Sequence, residues 1–192
     1  MGLNMPKQRI TKEMVVDAAF ELARSGGMEQ VVVKAIAGKI GCSVQPIYSY
    51  CKNMDGLRRD VEERTKCFVK AYIASHFDKN DPFRSTGQAY IRLTEEEPNL
   101  FKIFILHRRQ GVSSLDDLYR AEADGQIPVF LAENLNISTD RARQLHLDML
   151  IYTIGIGTIF SMTTPGISSD EIYSQQERIY QILLKHILED NA

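Results

Sequence analysis

Hydrophobic positions recur along this chain with the 3.6-residue period of a helix, and no alternating run of strand character interrupts them. Val15, Ala18, Ala19, Leu22 and Ala23 stand at i, i+3, i+4, i+7 and i+8, a core-facing stripe. Thr11 is placed to cap that helix, Glu13 suits its first turn, and Gly26-Gly27 ends it. The pattern predicts a short helix over Val33–Ile40, stopped by Gly41, and another over Val44–Tyr50. A long helix starts at Asn53 or Asp55 and runs to Phe77; after the turn "DKNDP" another reaches Glu97. Pro98 breaks that one, and Asn99 caps a short apolar segment. A further helix begins at Asp116 and bends near Pro128. Thr139–Met162 and Ser169–Leu188 close the chain, the last with the capping-box spacing Ser168-x-x-Glu171. The reading is an all-α protein of about nine helices, divided into residues 1–54 and 55–192.

Two short helices around a Gly-containing three-residue turn have the form of a helix-turn-helix. Ala37 falls where the helices cross closely, Gly41 can take the positive φ of the turn, and Ile47 faces back onto Ile36 and Ile40. Ser43 is the expected N-cap of the second helix, which puts Pro46 in the first turn, where an absent N–H removes no helical hydrogen bond. With Ile47 inward, Val44, Gln45, Pro46, Tyr48 and Ser49 face outward. Gln45 can hydrogen-bond adenine, and Val44 and Pro46 can touch a thymine methyl. Tyr48, Ser49, Tyr50, Lys52 and, on the preceding helix, Lys34 can reach phosphates, as can the basic "PKQR" before Thr11. The alternative is a helical corner with no nucleic-acid role.

Charge favours the first reading modestly. Residues 1–60 carry nine Lys/Arg against six Asp/Glu, whereas the rest carries fourteen against nineteen. Cys42, Cys51 and Cys67 lack metal-binding spacing and read as reduced thiols, which with no visible signal segment suggests a cytoplasmic protein. The longest apolar run, Met149–Met162, is short for a membrane span and reads as a buried helix. His76, His107, His146 and His186 are scattered, no Glu-x-x-His occurs, and no phosphate loop or G-x-S-x-G is present. No catalytic, metal or cofactor site is therefore expected.

The stretch "ITKEMVVDAAFELARSGGMEQVVVKAIAGKIGCSVQPIYSYCKNMDGL", about residues 10–57, resembles the N-terminal DNA-binding domain of the TetR family of transcriptional regulators. The likeness rests on the Ala-Ala pair of the first helix, Gly27, "IAGKIGCS", "IYSY" and "KNMDGL". It implies a homodimer on a palindromic double-stranded DNA operator, with a C-terminal helical domain that binds a small-molecule effector and forms the dimer. The chain departs from the family at Val32, Gln45-Pro46, Tyr50-Cys51 and Met54, where a Thr, a small pair, His-Phe and a Lys are usual. The segment Gly87–Leu106 resembles, more weakly, a C-terminal effector domain found in part of the family.

For an effector, Tyr90, Phe101, Phe104, His107, Tyr119, Phe130, Met149 and Tyr152 are the aromatic or soft residues on helices that surround the domain centre; singly, each also reads as core. For a dimer, Gly155 and Gly157 would let a partner helix approach, and Ile172, Ile179, Ile182, Leu183 and Ile187 form a stripe on the last helix. The rival is that the subunit's own core consumes both. The function read here is a ligand-responsive, DNA-binding regulator of the repressor kind. The alternative is a helical small-molecule carrier or enzyme whose N-terminal helices are only structural.

Overall fold

The computed structural model of the chain describes residues 10–50, 53–107, 109–123, 125–163 and 166–189. Ten α-helices and one 3-10 turn, Met28–Gln30, form among the described residues, with no strand. Two compact units divide the chain, Met1–Phe68 and Val69–Ala192.

In the first unit, helix α1 (Lys12–Gly26) begins where Thr11 Oγ1 accepts the Met14 N–H at 3.2 Å and ends at Gly27, φ +87°. It buries Val15, Ala18, Ala19 and Ala23 as the stripe requires, with Phe20 buried as well and Leu22 half-buried at the edge. Helices α2 (Val33–Ile40) and α3 (Val44–Tyr50) pack against each other and against α1. Helix α4 (Met54–Ser75) starts where Asn53 Oδ1 accepts the Gly56 N–H at 2.7 Å. Its first half belongs to this unit: Leu57, Val61 and Thr65 are buried, and Phe68 meets Phe20 at 5.9 Å between ring centroids. Lys12–Asp60 (2.9 Å) and Arg64–Asp17 (3.1 Å) lie over that seam. Both pairs are well exposed, so the apolar contacts beneath them dominate.

The second unit departs from the sequence expectation at two prolines. Helix α5 (Pro82–Glu96) is capped by Asp81, and Pro98 does not merely break it but opens α6 (Pro98–Ile105), with Glu97, not Asn99, at the capping position. Beyond Ser114, two helices form where one bent helix was expected: α7 (Leu115–Glu122) and α8 (Gln126–Leu135). Pro128 sits in the first turn of α8, where no helical acceptor awaits its nitrogen, so it starts a helix rather than bending one. Helices α9 (Thr139–Met162) and α10 (Ser169–Glu189) follow, and Ser168 Oγ accepts the Glu171 N–H at 3.3 Å.

Helix α9 has the length and mean hydropathy, 1.4, of a membrane span, yet it packs against α5, α6, α8 and α10. The main core joins Phe83, Ile127, Leu131, Leu145, Met149 and Tyr180; a smaller one joins Ile91, Phe160 and Ile172. Buried polar groups find partners: Gln176 Nε2 donates to Thr153 Oγ1 at 2.9 Å, and the Tyr119 hydroxyl lies 2.8 Å from His146 Nδ1. Gly157 is a point of close approach between α9 and its neighbours. A Cβ there would stand 3.0 Å from Phe101 Cζ and 3.1 Å from Thr94 Cγ2. Gly157→Leu should therefore lower the free energy of unfolding by about 1–3 kcal/mol through overpacking, measured by denaturant titration; an unchanged midpoint would show that the contact is not tight.

Candidate nucleic-acid interface

The turn between α2 and α3 is set by three backbone hydrogen bonds. Gly41, at φ +76° and ψ +36°, donates to the carbonyls of Ala37 (2.9 Å) and Gly38 (3.3 Å), and the Cys42 N–H donates to Ala37 O at 3.0 Å. This is a Schellman closure, which satisfies the orphan carbonyls of α2 and demands a left-handed residue at the position Gly41 holds. The chain then re-enters a helix directly after the exposed Ser43. Ile36, Ala37 and Ile47 are at most 4% exposed, so the crossing is dry and the orientation of α3 is fixed by one of its seven residues.

The remaining residues of α3 look outward. Tyr48 is 62% exposed, Val44 40% and Tyr50 38%; Gln45 and Ser49 are exposed and Pro46 half-buried. Ser49 Oγ donates to the Gln45 carbonyl at 3.3 Å, so its use on a phosphate would require that bond to be exchanged. Lys34 is exposed in the first turn of α2. Lys52 and the basic arm before Thr11 lie outside the described residues.

Ion pairing separates the cations of this unit into two kinds. Lys12 and Arg64 are neutralised by Asp60 and Asp17, and Arg58 approaches Asp55 at 3.7 Å. Lys34, Lys39 and Arg59 are exposed with no carboxylate partner among the described residues. Lys39 and Arg59 escaped the sequence reading because helical periodicity marks both simply as surface. Which surface cations stay unpaired depends on neighbours brought in from α1 and α4.

In the second unit the eight aromatic or soft residues do not form one group. Phe101, Tyr119 and Met149 are buried: Phe101 against Gly157, Tyr119 on His146, Met149 in the main core. Tyr90, Phe104 and His107 form a half-buried row, with ring centroids 6.3 Å and 6.2 Å apart. Burial and the negative charge of Glu122 push the Tyr90 hydroxyl up to about 12. Glu122 is itself held by Arg109 at 2.7 Å in a largely buried pair. Phe130 is half-buried on α8, and Tyr152 packs half-buried against the main core.

The expected dimer residues also divide. Gly155 is exposed with open space around it, whereas the space at Gly157 is filled from within the subunit. Ile172 is buried in the smaller core, and Ile179 and Leu183 pack half-buried on the larger one. Of the stripe expected on the last helix, Ile182 stands out at 54% exposed, while α9 exposes Ile151, Gly155, Ile159 and Met162 along one side. Among the described residues no group of three or more His, Cys, Asp or Glu side chains could hold a metal ion.

No protein-family model matches the chain, and no curated protein matches its sequence. Among solved structures it is similar to the crystal structure of a TetR-like transcriptional regulator from Rhodococcus sp. RHA1, at a TM-score of 0.60 and 15% identity. That match covers 93% of this chain and 97% of the other. The chain thus has the fold of a TetR-like transcriptional regulator, over far more of its length than the N-terminal motifs span.

Two glycines test the turn geometry. Gly41→Ala should cost about 1–2 kcal/mol, since a Cβ there meets no atom and only the left-handed backbone is penalised. Gly38→Ala, inside α2 with equally open space, should instead gain about 0.5–1 kcal/mol. Thermal or urea unfolding of the pair would show opposite signs.

Proposed function

We propose that this protein is a ligand-responsive, DNA-binding transcriptional regulator that acts as a repressor on a palindromic operator. The observation that carries the reading is the exposed face of α3, held by a buried Ile47, in a unit whose Lys34, Lys39 and Arg59 have no carboxylate partner among the described residues. An HTH docks with the first part of its second helix at base edges. That assigns base contacts to Val44, Gln45 and Pro46, and phosphate contacts to Tyr48, Tyr50, Lys34, Lys39 and Arg59, with Ser43, Ser49 and Lys52 beside them. The similar fold of a transcriptional regulator supports the same class.

The active form in this reading is a cytoplasmic homodimer, with two α3 helices about 34 Å apart, one turn of DNA. The exposed apolar line Ile151, Gly155, Ile159 and Met162 on α9, with Ile182 on α10, supports a self-complementary helical interface. An apolar or amphipathic effector would lodge beside the Tyr90–Phe104–His107 row and favour a spacing of recognition helices that mismatches the operator. By linkage, DNA then weakens effector binding by the same factor.

The test is selection of bound DNA from a random library, followed by binding measured against salt. Specific, salt-dependent binding is expected; a carrier or enzyme with structural N-terminal helices would show none. Tyr48→Ala should weaken binding to all sequences, whereas Gln45→Ala should relax preference at one base by about 1–3 kcal/mol. Lys39→Ala should reduce the salt slope by about one without altering preference.

A further inference from the structure

A cavity of about 400 Å³ opens in the second unit, away from the aromatic row, and lies within the size range of small-molecule sites. Its walls come from the residues after α4, the turn into α5, one face of α5, and Tyr173 of α10.

One end of this cavity is saturated by its own hydrogen bonds. Asp81 accepts the Arg84 backbone N–H at 3.1 Å and the Arg84 Nη1 at 3.2 Å. The rest of the Arg84 guanidinium is taken by Glu177, at 2.9 and 3.1 Å. Ser85 Oγ accepts the Asp78 N–H and donates to the Pro82 carbonyl, and Asp78 Oδ1 accepts the Asn80 N–H. Nothing there is left to recognise a ligand strongly.

The other end is the opposite. Arg92, Gln88 and Tyr173 all line the cavity, and none has a hydrogen-bond or ion-pair partner among the described residues. The two carboxylates that follow Arg92 on its own helix are committed elsewhere. Glu96 accepts the Tyr72 hydroxyl at 2.6 Å, and Glu95 accepts the Ser169 hydroxyl at 2.6 Å. His76 also lines the cavity, its ring tilted 31° to that of Tyr72 at 4.4 Å and its Nδ1 2.9 Å from the Tyr72 carbonyl. The Arg92 charge also acts on the Tyr72 hydroxyl, which burial and Glu96 hold well above the usual tyrosine range.

The exposed Arg92 guanidinium and Gln88 amide and the half-buried Tyr173 are donors on one small cavity with no protein acceptor among the described residues. We propose that the cavity binds a small organic carboxylate, its carboxyl group on the Arg92 fork with Gln88 and Tyr173 as further donors. A monoanion suits the site better than a phosphate dianion. Asp78 and Asp81 line the same cavity and repel each added negative charge. The site adjoins the end of α4 and is separate from the effector position proposed above.

The experiment uses the full chain without DNA, so its outcome is independent of the DNA-binding reading. Calorimetric titration with acetate, benzoate and succinate, with benzamide and inorganic phosphate as comparison probes, measures affinity directly. Saturable binding of at least one carboxylate is expected, weakened at least about tenfold by Arg92→Gln and unchanged by Arg178→Gln, an exposed arginine of α10 outside the cavity. Benzamide should bind far more weakly than benzoate. The proposal is overturned if no carboxylate binds, if Arg92→Gln leaves the affinity unchanged, or if phosphate binds more tightly than every carboxylate.

Discussion

Helix α3 is seven residues long, too short to persist alone in water, and it buries a single side chain. The burial of Ile47 against α2, permitted by the small Ala37 and the left-handed Gly41, is the contact on which the outward surface depends. Remove it and Tyr48, Gln45 and Val44 lose their common orientation, whatever their own chemistry. The apolar seam between α1 and α4, with Phe20 on Phe68, then holds the pair of short helices to a scaffold long enough to be stable.

The second unit is held by a different device. Helix α9 runs through its centre, and α5 is fastened to α10 by Arg84, whose guanidinium meets Glu177 and stacks 4.5 Å from the Tyr180 ring. Glu177 is held below the usual carboxylate range by that arginine, despite the opposing effect of partial burial. Close to this junction, a Cβ on Gly87 would lie 2.9 Å from Gln176 Nε2, the amide that bonds Thr153 of α9. Three helices thus meet through polar groups set at close range.

Most of the helical plan was legible in the sequence because its stops are chemical. Thr11, Gly27 and Gly41 bound their helices through their own hydrogen bonds or φ values, so α1, α2 and α3 fall where local rules put them. Pro98 and Pro128 misled because a proline is equally at home as the end of one helix and the start of the next, and only packing chooses. Phe20, outside the predicted stripe, is buried as well, with the ring of Phe68, remote in sequence, 5.9 Å from its own. The lack of carboxylate partners for Lys39 and Arg59 among the described residues, the filled space at Gly157 and the cavity at Arg92 all arise between elements distant along the chain. Local periodicity carries no trace of them. The outward face of α3 was legible except at Pro46, which is half-buried, since one inward isoleucine fixes the rest.

That economy has an evolutionary side. A helix face whose folding requirement is concentrated in Ile47 leaves its neighbours nearly free of structural selection. Positions 44, 45, 46 and 48 can drift, as the unusual Gln45-Pro46 pair suggests, while the scaffold beneath stays intact. If the proposed DNA-binding role holds, single substitutions on this face can change sequence preference without passing through an unfolded intermediate.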